Sequence, residues 1–225
     1  MIQQNQELKA AYDAYYRQPN YFHYRTWLYQ PFIRALIRKA QLEKGYKVLD
    51  VGCGQGFFSS LFANEGLNTL GIDLSTEGIA SATRNYHQEG LNFEVADIRA
   101  FSGSNAFDCV YVRSCSLYNI NDFENNRETT NILLQFVRPG GVLIFDYYSN
   151  LCKRKAGGEW RYHSTAAVEN HFAPYPATDI FFSARLAPII LGRFAFSKCV
   201  SSLDSQLSKY GGVGGELIAI VRKTT

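Results

Sequence analysis

Three glycines alternate with other residues in Gly52-Cys53-Gly54-Gln55-Gly56, and Asp50 stands two positions ahead of them. Glycine reaches positive φ without strain and carries no side chain, so such a turn lets a ligand approach the backbone. The apolar run Val48-Leu49-Asp50-Val51 before it reads as a strand covered on both faces. Residues 57–65 read as a helix whose first N–H groups point back at the same gap. Phe57 and Phe58 open that helix. Two further carboxylates, Asp73 and Asp97, close later strand-like runs. Together these groups suit a small polar molecule held at the end of a strand. For Asp50 two roles stand equal: contact with the ligand, or capping of the turn's own N–H groups.

Positioning these groups takes alternating strands and helices. Residues 8–17 read as a helix ended by Gln18-Pro19-Asn20. Residues 21–29 are dense in aromatics, and Pro31 fits the first turn of a second helix. Strands are expected at 67–73, 91–96, 107–112 and 142–147. Ser75 is placed to cap a helix over 76–89, and Asp122 one that runs to about 137, followed by a turn at Arg138-Pro139-Gly140-Gly141. Beyond Asn150 the pattern predicts a short strand at 159–163 and a helix at 165–172. A strand at 179–186, a helix at 195–207, a glycine turn at 211–215 and a final strand at 216–222 complete it. Short loops between alternating elements predict a mostly parallel α/β sheet with helices on both faces. Ligands in such sheets sit beyond the strands' C-terminal ends. Residues 52–56, Asp73, Asp97, 113–116 and 146–149 should therefore converge on one cleft.

The turn departs from the dinucleotide spacing GxGxxG, since Phe57 stands where the third glycine would be. An acid about 20 residues downstream is present as Asp73 but serves either a dinucleotide or a nucleoside ligand. Here the chain resembles the class I S-adenosylmethionine-dependent methyltransferases. Residues 48–56 resemble that family's first motif, Gly71-Ile72-Asp73-Leu74-Ser75 its second and Val95-Ala96-Asp97-Ile98 its third. Residues 107–112 and 137–143 resemble its later strands, so the likeness spans residues 47–148. It implies a Rossmann-like seven-stranded sheet, mostly parallel with an antiparallel last strand. It also implies S-adenosyl-L-methionine as cofactor and methyl transfer as the activity. Asp73 would accept both ribose hydroxyls and Asp97 the adenine amino group, with Leu74 and Ile98 beside them. Asp50 would face the ammonium, and Gly52, Cys53, Gly54 and Gly56 would admit the methionine chain. Arg113 and Ser114 follow the fourth strand, where the family places residues near the methyl group. Tyr21 and Arg25 belong to an N-terminal segment, residues 1–44, that would act as a helical lid, Arg25 meeting an anionic group such as the cofactor carboxylate. The flanking segments are similar to uncharacterised bacterial members that act on small molecules or cell-surface saccharides.

Methyl transfer needs alignment first, and a base only where the nucleophile holds its proton tightly. His163, His23, His171, Asp146 and Glu159 are the candidate bases, with His163 foremost. A small-molecule acceptor methylated on oxygen, with nitrogen second, is the reading. Arg113-Ser114-Cys115-Ser116 replaces the Asn/Asp-Pro-Pro-aromatic motif of the family's base-amino branch. No carboxylate cluster accompanies Asp146, so no metal is expected. A nicotinamide-dependent oxidoreductase, or a non-catalytic partner protein keeping the fold, stands as the alternative.

At 225 residues with 46% apolar content, the chain suits a single domain over 1–225. Residues 45–150 would form the cofactor core and 151–225 the acceptor side. A formal net charge of +3 makes no electrostatic case for nucleic acid. The polar N-terminus lacks a signal-peptide pattern and no run approaches a membrane span, so no membrane partner is expected. The five cysteines form no CxxC pair, which suits reduced thiols in a cytoplasmic chain. Lys153-Arg154-Lys155 reads as a solvated loop.

Overall fold

The computed structural model describes residues 2–151, 160–184, 186–211 and 215–224. In chain order the elements are α1 (Ile2–Tyr16), α2 (Thr26–Ala40), β1 (Lys47–Val51), α3 (Phe57–Asn64), β2 (Asn68–Asp73) and α4 (Thr76–Asn85). There follow β3 (Leu91–Val95), β4 (Phe107–Arg113), α5 (Glu128–Phe136), β5 (Val137–Tyr148) and α6 (Thr165–Phe172). The chain closes with β6 (Thr178–Ala184), α7 (Ala187–Leu191), α8 (Lys198–Gly211) and β7 (Gly215–Arg222).

The seven strands form one sheet in the order β3-β2-β1-β4-β5-β7-β6. β1 to β5 pair in parallel, and β7 runs antiparallel to both of its neighbours, β5 and β6. This matches the expected architecture. The order reverses at β1, which has β2 on one side and β4 on the other, so the crevice at the ends of β1 and β4 is the switch point.

Strand alternation divides the core between the two faces. Val48, Tyr111 and Ile144 face Phe32, Ile33 and Leu36 of α2 and Leu61 and Phe62 of α3. Leu49, Val110 and Phe145 face Leu133 of α5 and Val168 and Phe172 of α6. Each such side chain, fully buried, contributes about 1.5–3 kcal/mol against exposure. The sheet's β-branched and aromatic runs are therefore legible as strands, because both faces are covered.

Four local expectations are corrected. Pro31 lies in the second turn of α2, since the helix already begins at Thr26. Only the exposed Trp27 carbonyl loses its helical partner there, and water can serve it. The helix expected from Asp122 begins only at Glu128. Ahead of it the chain turns to insert Phe123 between two imidazole rings, stacked at 3.8 Å on His163 and 4.3 Å on His171. Burial of that ring outweighs the helical spacing. Residues 138–141 belong to β5, where the ladder to β4 slips between Phe107 and Cys109 and Gly140 takes φ 75°. The strand expected at 159–163 is reduced, within the described residues, to one parallel bridge between Ser149 and His163. Glu159, Cys152, the basic run 153–155 and residues 212–214 of the glycine turn lie outside the described residues.

Gly56 caps α3 at φ 79°. A Cβ there would stand 2.7 Å from both the Ala82 methyl and the Phe93 ring. Gly56→Ala should destabilise the protein by about 1–3 kcal/mol, from overpacking plus positive φ. Urea unfolding reads this as a lowered midpoint; an unchanged midpoint would refute the packing argument.

Candidate functional site

A cavity of about 440 Å³ opens at the C-terminal ends of β1, β2 and β4. Its floor is the glycine turn. Gly52 stands so close to the loop after β4 that a Cβ would reach 2.8 Å from Cys115 Sγ. Gly54 takes φ 54°, and a Cβ there would meet the Tyr16 hydroxyl at 2.6 Å. The glycines are thus required by close approach from two sides, by the β4 loop and by α1.

The expected ligand-binding residues are largely brought together. Asp50, Gly52, Cys53 and Gly54 line the cavity, with Phe57 and Phe58 from α3. Asp73 and Leu74 after β2, Asp97 and Ile98 after β3, Arg113 and Ser114 at the end of β4, and Tyr21 also line it. Two do not. Gly56 is turned into the helix packing described above. Arg25 is exposed and serves α2 through its carbonyl, which accepts from the N–H groups of Leu28 and Tyr29. It is not among the cavity-lining side chains.

Asp73 is 8% exposed, and each of its oxygens accepts from a backbone N–H at 2.8 Å, Gly54 on one and Ser75 on the other. Burial raises its carboxyl, and those N–H groups oppose the rise. Each oxygen keeps a lone pair for a further donor. Asp50 accepts from the Ser59 hydroxyl at 2.6 Å. Burial pushes its carboxyl up to about 7, with the Ser59 bond opposing and the Asp73 charge adding to the rise.

The ends of β4, β5 and β7 carry a buried ion triad. The Arg113 guanidinium donates to Asp146 and to Glu216, and the Tyr111 hydroxyl donates to the same Asp146 oxygen. Phe58 lies 4.5 Å from the guanidinium carbon, with Tyr29 and Tyr148 at 5.5 Å. Arg113 Nε and Ser114 Oγ have no partner among the described residues.

None of the three foremost candidate bases lines the cavity. Asp146 is wholly buried, and its charge is committed to Arg113. His163 packs against Phe123, and its Nε2–H donates to the Tyr118 carbonyl at 3.1 Å. Burial lowers it to about 4, so it stays neutral near pH 7. His23 is exposed on a turn at φ 54°. His171 is held in the core between the Phe123 carbonyl and Thr130 Oγ1. That Phe123 would pack between both imidazoles was not legible in the sequence.

Several contacts around the cavity escaped the sequence reading, with Tyr16, Trp160 and Tyr162 among its lining residues. Tyr16 of α1 covers Gly54. Gln55 accepts from Tyr21 N–H and donates to the carbonyls of Tyr16 and Gln18, tying the N-terminal segment to the turn. Asp13 accepts from the Ser75 hydroxyl and Glu77 N–H, anchoring α1 to the start of α4. Tyr148, Trp160 and Tyr162 form an aromatic wall. A tyrosine repeat at 12, 15 and 16 in α1 was the only available signal for its contact face. Among the described residues, no group of three His, Cys, Asp or Glu side chains is placed to hold a metal ion.

A family model described as "Methyltransferase domain" matches residues 42–177. A ubiquinone biosynthesis O-methyltransferase from Cronobacter sakazakii is 33% identical over 105 residues, 45% of this chain and 42% of that protein. The chain spans about half the length of the curated relatives it matches. Among solved structures, a putative methyltransferase complexed with the Trm112 activator of Haloferax volcanii superposes with TM-score 0.66 at 19% identity. The match covers 94% of this chain and 97% of that one. A Haemonchus contortus phosphoethanolamine N-methyltransferase, solved with phosphomonomethylethanolamine and S-adenosylhomocysteine, gives TM-score 0.60 at 19% identity, covering 89% and 56%.

Burial raises the Asp13 carboxyl, but Lys9, Ser75 and the Glu77 N–H outweigh it and hold the group at about 2. The folded value lies below the unfolded one, so the anchor is complete above about pH 4 and fails as pH falls through about 2. Asp13→Ala should release α1 from α4 while leaving the sheet intact. Hydrogen exchange should rise at least tenfold in α1, about the loss of one charge-assisted bond. Equal protection in both proteins would exclude the anchor.

Proposed function

Because the chain belongs to the class I S-adenosylmethionine-dependent methyltransferase family, we propose that it transfers a methyl group from S-adenosylmethionine to a small aromatic acceptor. When bound, the cofactor supplies an electrophilic methyl on a sulfonium. The chain's own residues do the binding and alignment. Asp73 takes the ribose diol with its two remaining lone pairs, and Asp97 with the Ile98 N–H takes the adenine edge. Asp50 faces the ammonium, and Gly52 and Gly54 leave room for the methionine chain. The observation that carries this reading is the opening of Asp50, Asp73, Asp97 and both turn glycines onto one cavity. Ser114 Oγ and Arg113 Nε–H, buried without partners, suit a polar group of the cofactor or the acceptor. α1 and the segment tied by Gln55 act as the lid; Arg25, off the cavity, has no part in holding the carboxylate.

Oxygen is the acceptor atom in this reading, with nitrogen second. Tyr148, Trp160 and Tyr162 offer flat surfaces for an aromatic ring. No histidine lines the cavity among the described residues. An acceptor that sheds its proton with little help therefore fits best. A phenolic hydroxyl, near pKa 10 by analogy with tyrosine, does so more readily than a sugar hydroxyl. The name of the Cronobacter relative agrees with oxygen.

Asp73→Asn should weaken S-adenosylmethionine binding at least tenfold in calorimetry, because one charged acceptor is lost and the amide NH2 faces a backbone N–H of the turn or of Ser75. Unchanged affinity, or tight NADH binding in its place, would overturn the assignment. Turnover to S-adenosylhomocysteine with phenols, and none with sugars, is the matching activity result.

Asp50 supplies a pH test. The free protein holds this proton up to about pH 7, and an ammonium beside it favours the ionised form. Binding then releases a proton below pH 7, so affinity rises about tenfold per pH unit toward 7 and levels above it. Asp50→Asn should flatten that slope. A wild-type slope retained in the variant would remove Asp50 from the ammonium site.

A further inference from the structure

Away from the cavity, the segment after β6 leaves an apolar surface uncovered. Ile190 is 74% exposed and Phe194 59%, and Leu186, Ile189 and Leu191 are also exposed. This segment packs beside α2. A groove of about 480 Å³ adjoins Phe194, lined by Arg38, Lys39 and Arg222, with Asp179 as the one carboxylate among its described lining residues. Lys39 pairs with Asp179 at 3.2 Å. Arg222 donates to the Gly140 carbonyl and Gln41 Oε1, neither of which carries charge. Arg38 is exposed, and no carboxylate pairs with it among the described residues. Between Asp179 and Asp204 the sequence places Arg185, Arg193 and Lys198 and no acidic residue.

We propose that this face is a docking surface for an anionic lipid membrane. Ile189 and Ile190 enter the boundary between headgroups and acyl chains, and the groove at Arg38 takes phosphate headgroups. Attachment is peripheral: among the described residues no helix is long and apolar enough to cross a membrane. Charge selects this occupant over a second copy of the chain. A two-fold contact through one face sets like patches near each other, here cations toward cations. An anionic bilayer neutralises them while it covers the isoleucines. The proposal revises the expectation that the protein has no membrane partner, and it stands apart from the assignment of the cavity.

The test is sedimentation of the full chain with vesicles of phosphatidylcholine, alone or mixed with phosphatidylglycerol. Partitioning onto the anionic vesicles should exceed that onto neutral ones by about tenfold and weaken in high salt. Ile190→Glu, and separately Arg38→Glu, should each lower it several-fold, while S-adenosylmethionine binding and melting temperature stay at wild-type values. Equal partitioning onto neutral and anionic vesicles would overturn the proposal, as would an Ile190→Glu protein that binds like wild type. Light scattering that finds a dimer split by Ile190→Glu would assign the face to a second copy instead.

Discussion

The carboxylate of Asp73 ties together three parts of the molecule. One oxygen holds Gly54 of the turn after β1, and the other holds Ser75, where α4 begins. Ser75 Oγ accepts from Gly78 N–H and donates to Asp13 of α1. A buried carboxylate is tolerated only when its lone pairs are used, and stripping its partners costs roughly 3–5 kcal/mol. The turn and the start of α4 are thus held directly by this carboxylate, and the covering helix joins them through Ser75 by a second one, Asp13. The group proposed to read the ribose also sets the shape of the site and the position of its cover. A ligand donor on Asp73 would reinforce a network that already exists, which is what preorganisation means in energetic terms.

The Arg113 triad does comparable work for β4, β5 and β7. In water such a pair contributes little, and burying it recovers the desolvation cost only with near-complete hydrogen bonding. Its effect here is positional. Arg113 pairs in register with Asp146, and Glu216 stands opposite Tyr148. A one-residue slip of β7 would turn Glu216 to the other face and leave Arg113 with one partner. The antiparallel strand is held in place by a charge as well as by its apolar alternation. Because Arg113 is already matched by two carboxylates, it offers the cavity a hydrogen-bond donor more than a free positive charge.

The convergence of Gly52, Gly54, Asp73 and Asp97 on one cavity was legible because these residues stand at or just beyond strand ends. Each sits in a short run that closes a strand, and such a run survives in a linear reading even though its partners are distant: Asp73 accepts from Gly54 N–H, and Gly52 and Gly54 make room for Cys115 and Tyr16. The apolar strands were legible for the same reason. What failed depends on distant contacts. Phe123 breaks the expected helix because His163 and His171 close around it, from positions about 40 and 48 residues away. Those same contacts remove both histidines from the list of bases. Arg25 sits beside an aromatic run, yet the fold uses its carbonyl to start α2 and leaves its side chain outside the cavity. Tyr16 was invisible, since nothing in α1 announces that it crosses the glycine turn.

Buried polar atoms without partners gather at the ends of β4 and β5, where Arg113 and Ser114 line the cavity. Among the described residues, the buried side-chain polar atoms without partners are Arg113 Nε, Ser114 Oγ, Asp146 Oδ1 and Tyr147 Oη. All fall at adjacent ends of β4 and β5. Ser114 also takes φ 39°, a conformation that costs a non-glycine residue about 1 kcal/mol or more. A buried polar atom left without any partner costs about 1–3 kcal/mol, so a ligand group that pairs with Arg113 Nε or Ser114 Oγ would be favoured there. In the glycine turn, by contrast, the N–H groups of Gly52, Cys53, Gly54 and Gly56 have partners. Sequences optimised for folding alone do not collect such defects in one place; functional sites do. Methyl transfer draws its rate chiefly from alignment, where holding two reactants together lowers a barrier by about 7–11 kcal/mol. Rigid aromatic walls and a polar strip awaiting partners are suited to that task. A mobile general base is needed only for a less willing nucleophile.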